Sequence, residues 1–107
     1  MVTELDPREL RELLERKEKV LLLDIREPWE RDQALIDPSL FIPMEEVPDR
    51  LDEIPQEGMV VVYCHHGMRS YVVADYLEQR GFPRVRSLQG GIDGWATLVD
   101  PAVPRYG

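Results

Sequence analysis

Short apolar runs punctuate a chain that is otherwise dense in charge. Val20-Leu21-Leu22-Leu23, bounded by charge, and Met59-Val60-Val61-Val62-Tyr63, between Gly58 and Cys64, are continuous. Runs of that length predict strands buried on both faces, as in a parallel sheet. Val85–Leu88 alternates in character and predicts a further strand, and Leu40–Ile42 predicts a short one. Between the runs the spacing turns helical. Leu10, Leu13 and Leu14 share one face with charges opposite. Asp6 can cap that helix, Pro7 suits its first position and Glu9 completes a capping-box spacing. The helix should fade near Lys17–Lys19. Val47 and Leu51, with Pro48 early, predict a short helix over 45–53. Pro55-Gln56-Glu57-Gly58 reads as a turn.

A helix opening at Ser70 is predicted through Tyr71-Val72-Val73-Ala74-Asp75-Tyr76-Leu77 to Arg80-Gly81, with Gly81 as a left-handed cap and Pro83 beyond it. Gln89-Gly90-Gly91 makes a sharp turn before a last short helix, Ile92–Leu98. Trp29 and Trp95 read as packing residues. Residues 30–43 show little periodicity, and 101–107 predict a loosely held tail. Strands alternating with helices predict an α/β fold, a three-layer α/β/α domain on a central, mainly parallel sheet of about five strands. No repeat or linker divides the 107 residues, so one domain over 1–107 is expected.

Composition narrows the classes. No apolar run approaches the roughly 20 residues of a membrane span. The first residues, Met1-Val2-Thr3-Glu4-Leu5-Asp6, are acidic and unlike a signal peptide. A single cysteine excludes an internal disulfide and fits a reducing cytoplasm. The net charge of -8 argues against nucleic acid or an anionic membrane as partner, since both reward Lys and Arg.

The candidate chemistry lies at the end of the run 59–63. Cys64-His65-His66-Gly67-Met68-Arg69-Ser70 follows directly. A strand, a glycine loop and a helix start aim several backbone N–H groups at one point. A cysteine there sits in a positive potential that favours the thiolate. Cys64 is therefore the candidate nucleophile, at a strand end and facing a concavity. Gly67 lets the loop turn tightly, and Arg69 adds a fork of donors suited to an oxyanion. His65, His66, Gly67, Met68, Arg69 and Ser70 form the candidate substrate cradle, although two loop histidines by themselves imply no catalytic step. Three adjacent residues cannot easily wrap a tetrahedral ion, so no metal site is expected. Asp24 and Arg26, after the first apolar run, reach the same sheet edge. A structural, supporting role suits them better than direct chemistry.

In three places the chain resembles the rhodanese family in its single-domain form. Leu22-Leu23-Asp24-Ile25-Arg26-Glu27 is similar to the family's early strand with its Asp-x-Arg end. Tyr63–Ser70 resembles the active-site loop, and Leu88-Gln89-Gly90-Gly91-Ile92-Asp93-Gly94-Trp95 resembles the closing Gly-Gly-x-x-x-Trp signature. The resemblance runs from about residue 5 to residue 96 in the family's order. It implies a rhodanese-like fold and a sulfurtransferase. Sulfane sulfur from a small anionic donor such as thiosulfate would pass onto Cys64 as a persulfide, then to a thiol, cyanide or protein acceptor. No cofactor is implied. One stretch departs from the pattern. The departure is at Arg31 to Pro43: where the family shows Gly-His-Ile-x-Gly-Ala before its short second strand, this chain reads Asp32-Gln33-Ala34-Leu35-Ile36-Asp37-Pro38-Ser39-Leu40-Phe41-Ile42-Pro43, so the local turn should differ.

Two rivals stand beside this reading. A cysteine phosphatase or arsenate reductase uses Cys-x5-Arg, seven residues from cysteine to arginine; Cys64 to Arg69 spans six. The shorter loop makes a smaller cradle, suited to one sulfur atom more than to a phosphate. A non-catalytic rhodanese-like binding module is the other, and retention of Cys64 weighs against it.

Overall fold

The computed structural model describes residues 1–107. Five strands form one sheet: β1 (Thr3–Leu5), β2 (Val20–Asp24), β3 (Leu40–Phe41), β4 (Met59–Tyr63) and β5 (Val85–Leu88). Every pairing is parallel, in the order β1-β5-β4-β2-β3, so β4 is central. Four helices cover the sheet: α1 (Pro7–Glu15), α2 (Pro28–Gln33), α3 (Met68–Gln79) and α4 (Gly91–Leu98). No helix is long and apolar enough to cross a membrane.

The pleat divides the core. Val60, Val62, Leu23 and Ile25 face α3 and the 3₁₀ turns, packing with Val73, Ala74, Leu77, Val47 and Ile54. Met59, Val61, Tyr63 and Leu22 face the other way, onto Leu10, Ile92 and Trp95. Successive side chains of a strand alternate in direction. Cys64, one residue past β4, continues the parity of Val60 and Val62 and falls on the α3 side.

The capping box on α1 forms as expected: Asp6 Oδ1 accepts from the Arg8 N–H and Glu9 reaches back to the Asp6 N–H. Several other expectations are corrected. The helix over 45–53 is two 3₁₀ turns, Met44–Asp49 and Leu51–Glu53. Pro48 lies inside the first and offers no N–H for an α-helical bond. Helix α3 starts at Met68, two residues before Ser70, because Gly67 turns the chain at φ +106°. Trp95 packs in the core, but Trp29 stands mostly exposed, edge-on to Tyr106. The tail is docked: Val103 and Tyr106 pack on the α1/α4 layer, and Arg105 pairs with Asp93 at 2.8 Å.

Candidate active site

The loop between β4 and α3 wraps the cysteine sulfur. Cys64 is 1% exposed and forms the floor of a pocket walled by His65, His66, Met68 and Arg69. The backbone N–H groups of Gly67 and Ser70 both donate to Sγ, at 3.1 and 3.3 Å. The thiol in turn reaches Ser70 Oγ at 3.4 Å. Ser70 is buried in the first turn of α3, bonded to Ser87 Oγ at 2.8 Å. The amides of His65, His66, Met68 and Arg69 have no acceptor in the fold. Two N–H groups therefore hold one sulfur beside a helix N-terminus, in a loop with four further uncommitted amides. Such a nest stabilises negative charge at its centre.

Helix α4 holds the loop from outside. The N–H groups of Ile92 and Asp93 donate to the carbonyls of Cys64 and His65, at 2.8 and 3.1 Å. That contact needs Gly91, which has φ +60° and lies directly against those two carbonyls. The Gly-Gly turn read in the sequence is thus a part of the site wall.

Arg69 is not a lone cation. Its NH1 and NH2 both donate to the Glu30 carboxylate at 2.8 Å. Glu30 is buried, on α2, and also accepts from the Tyr106 hydroxyl at 2.9 Å. Tyr106 accepts in turn from Arg26 NH1 at 2.9 Å, and Arg26 donates two bonds to Asp24 at 2.8 and 2.7 Å. A chain of bonds therefore runs Asp24–Arg26–Tyr106–Glu30–Arg69 and ends on the cysteine loop. Asp24 and Arg26 do reach the same sheet edge as Cys64, but on the opposite face, and they act on the loop only through this chain. Glu30 and Tyr106 were invisible as site residues. Glu30 sits three residues after Glu27 and two after Pro28, a helix-start signal that runs up to the edge of the segment of little periodicity. Tyr106 leaves no local signal at all.

Tyr106 also lies flat on His65, with ring centroids 4.0 Å apart, and His66 stacks on His65's other side at 3.8 Å. Burial, then the neighbouring His66, hold His65 below the ordinary histidine value, which keeps it neutral near pH 7. Burial raises Tyr106, to about 12, so its phenol keeps the proton it donates to Glu30. Burial pushes Glu30 upward too, but the bonds from Arg69, the Glu27 N–H and Tyr106 outweigh it and bring the carboxyl down to about 2.

That depression sets an acid limit. A carboxyl lowered from 4.5 to about 2 contributes stability that is complete above about pH 4.5 and is lost as pH falls toward 2. Acid unfolding followed by tryptophan fluorescence is expected to show a limb in that window, and Glu30→Gln to flatten it. Superimposable acid limbs for the two proteins would show that Glu30 carries no such linkage.

The fold and the site define a parallel α/β domain with one buried cysteine in a nest of amides. The chain belongs to the rhodanese-like domain family, whose model matches residues 6–98. It is 47% identical to a sulfurtransferase of Allochromatium vinosum over 107 residues, the whole of both chains. It is 37% identical to the thiosulfate sulfurtransferase GlpE of Actinobacillus pleuropneumoniae, over 97% of this chain and 95% of that one. A rhodanese-related protein from Thermoplasma volcanium superposes with a TM-score of 0.84 at 27% identity, covering 97% of this chain and 99% of its own. These relatives support a rhodanese-type sulfurtransferase.

Proposed function

We propose that the protein moves sulfane sulfur from a small anionic donor such as thiosulfate to a thiophilic acceptor, through a persulfide on Cys64. What supports this reading above all is the convergence of the Gly67 and Ser70 N–H groups on Sγ at 3.1 and 3.3 Å. In the first step the Cys64 thiolate attacks the outer sulfur of thiosulfate. A new S–S bond forms, the donor's S–S bond breaks, and sulfite leaves with the electron pair. The persulfide's terminal sulfur then carries the charge that the amides stabilise. In the second step cyanide, a thiol or a protein thiolate takes that sulfur, and the electron pair returns to Cys64.

The roles follow from position. Cys64 is the nucleophile. Gly67 and Ser70 supply amides, and His65, His66 and Met68 shape the pocket. Arg69 orders the loop through Glu30 and offers its remaining N–H to the donor's oxygens. Asp24 and Arg26 anchor that arrangement from beneath. The working unit is the whole of 1–107, because Tyr106 completes it. A reducing compartment such as the cytoplasm suits a lone thiol that must stay unoxidised.

Intact mass measurement after incubation with thiosulfate tests the reading. The expected result is a gain of one sulfur, about 32 Da, reversed by cyanide. No gain with thiosulfate or with inorganic polysulfide would overturn it.

A further inference from the structure

Three large apolar side chains stand exposed together at the start of α3: Met68 at 82%, Tyr71 at 42% and Val72 at 57%. Residues three and four apart share a helix face, so they form one patch. The patch is the lip of the cysteine pocket. Met68 lines that pocket and also a shallow depression shared with Glu4, Tyr71 and Val72. Val72 in turn borders an apolar groove with Met44, Val47, Pro48 and Tyr76. An apolar track thus leads from the pocket across α3 to the 3₁₀ turn. The inner face of α3 is already buried through Val73, Ala74 and Leu77. An outer face that is apolar as well is one that gains by being covered.

The charge along the track is mostly negative, with Arg80 as the one unpaired cation at its far end. Glu4, Glu45 and Asp49 are exposed beside it, and Asp75 is half-buried one turn beyond Tyr71. None of the four is in an ion pair, whereas Arg50 is engaged by Glu46 and Glu53, and Arg69 by Glu30. Arg80 lies over the Tyr76 ring at the far end. Both lysines, Lys17 and Lys19, precede β2 and lie at the other end of the sheet. Such a face repels nucleic acid and anionic lipid. A second copy of the chain would set the same carboxylates against it. An apolar partner surface ringed by Lys and Arg complements it.

We infer that this track docks a protein sulfur acceptor whose reactive cysteine is flanked by apolar and basic residues. The inference rests on the sulfurtransferase reading and names the class of acceptor. Docking brings the partner's thiolate to the outer sulfur of the Cys64 persulfide. An S–S bond forms on the partner, the bond to Cys64 Sγ breaks, and Sγ keeps the electron pair, so no oxidant or reductant is needed.

The test offers three acceptors to the persulfidated full-length protein: cyanide, a peptide with one cysteine among alternating Leu and Lys, and the same peptide with Glu for Lys. The Lys peptide is expected to take sulfur about tenfold faster than the Glu peptide at low salt, with the gap closing as salt screens the charges. Tyr71→Ser combined with Val72→Ser should lower the Lys-peptide rate about tenfold and leave the cyanide rate unchanged. A Lys peptide carrying serine for cysteine should shift the amide resonances of Tyr71 and Val72, reading docking without sulfur chemistry. Equal rates for the two peptides, or a double variant as fast as the parent, overturns the docking surface. Resonance shifts in a protein that never turns over cyanide would instead uphold the docking surface and overturn the sulfurtransferase reading.

Discussion

Replacing Cys64 with serine is expected to abolish sulfur uptake from thiosulfate and to lower transfer to cyanide by at least about a thousandfold, because the covalent intermediate has no atom to form on. The amides would remain. Gly67 N–H and Ser70 N–H, now 3.1 and 3.3 Å from sulfur, would face a hydroxyl on a shorter bond and hold it less closely. The cost in stability should stay near about 1–2 kcal/mol, since a buried polar atom keeps partners of reduced quality. Thiosulfate:cyanide kinetics and urea unfolding on the same preparation separate the two effects. The expected pair is lost chemistry with a nearly intact fold. Residual turnover above about a tenth of the parent rate would mean that another group carries the sulfur, contrary to covalent catalysis at Cys64. Phosphate-ester hydrolysis by the parent, lost in the variant, would point to the larger-loop chemistry of a phosphatase instead.

The parts of this site that were legible in the chain are local. A continuous apolar strand, a glycine loop and a helix with its left-handed cap each write themselves into a few adjacent residues. The cysteine at the strand end, the glycine loop around it and the closing Gly90-Gly91 turn were readable for that reason. The face of the sheet follows from strand parity within one strand, but between strands it needs the register, which the structure supplies. Cys64 continues Val60 and Val62, while Asp24 pairs in register with Tyr63 and shares its side. Applied to β2 and β4 together, that rule places Asp24 and Cys64 on opposite faces.

The illegible parts are short or remote. Strand β1 has three residues, too few for a period, and its place follows only from pairing with β5. Helix α2 has six residues, and beyond its capping signal at Glu27–Glu30 no periodicity continues it. Tyr106 reaches Arg26 across 80 positions and Glu30 across 76. No local pattern encodes such a contact. Glu30, 39 positions from Arg69, compensates that cation directly, and Tyr106 links the pair to Arg26. The loop's affinity for anions then rests on amides more than on net charge. Under the proposed persulfide chemistry this arrangement is favourable, because a full unpaired cation beside a persulfide would strengthen sulfur holding at the expense of its release.

Gly91→Ala should be the most damaging glycine-to-alanine change in the molecule. An added Cβ there would collide with both the Cys64 and His65 carbonyl oxygens, which are backbone and cannot swing aside. Relief requires the loop and α4 to separate, and the bonds from the Ile92 and Asp93 N–H groups to those carbonyls go with it. Gly81→Ala provides the control. Gly81 also has positive φ, at +94°, but nothing lies within 4 Å of its added Cβ. Its cost is the backbone conformation alone, about 1–2 kcal/mol. At Gly91 the conformational cost is joined by overpacking against main chain, for a total of about 3–5 kcal/mol. For a domain of this size that corresponds to a fall in Tm of more than about 10 °C. The comparison isolates space from conformation, since both variants carry the second and only one lacks the first. Thermal unfolding of the two variants, with sulfur uptake measured well below either Tm, is the decisive pair. If Gly91→Ala unfolds no earlier than Gly81→Ala and takes up sulfur at the parent rate, the α4 turn is not what holds the cysteine loop in shape. If it loses uptake while still folded, the position of the Cys64 and His65 carbonyls, and with them the amide nest, depends on that one missing side chain.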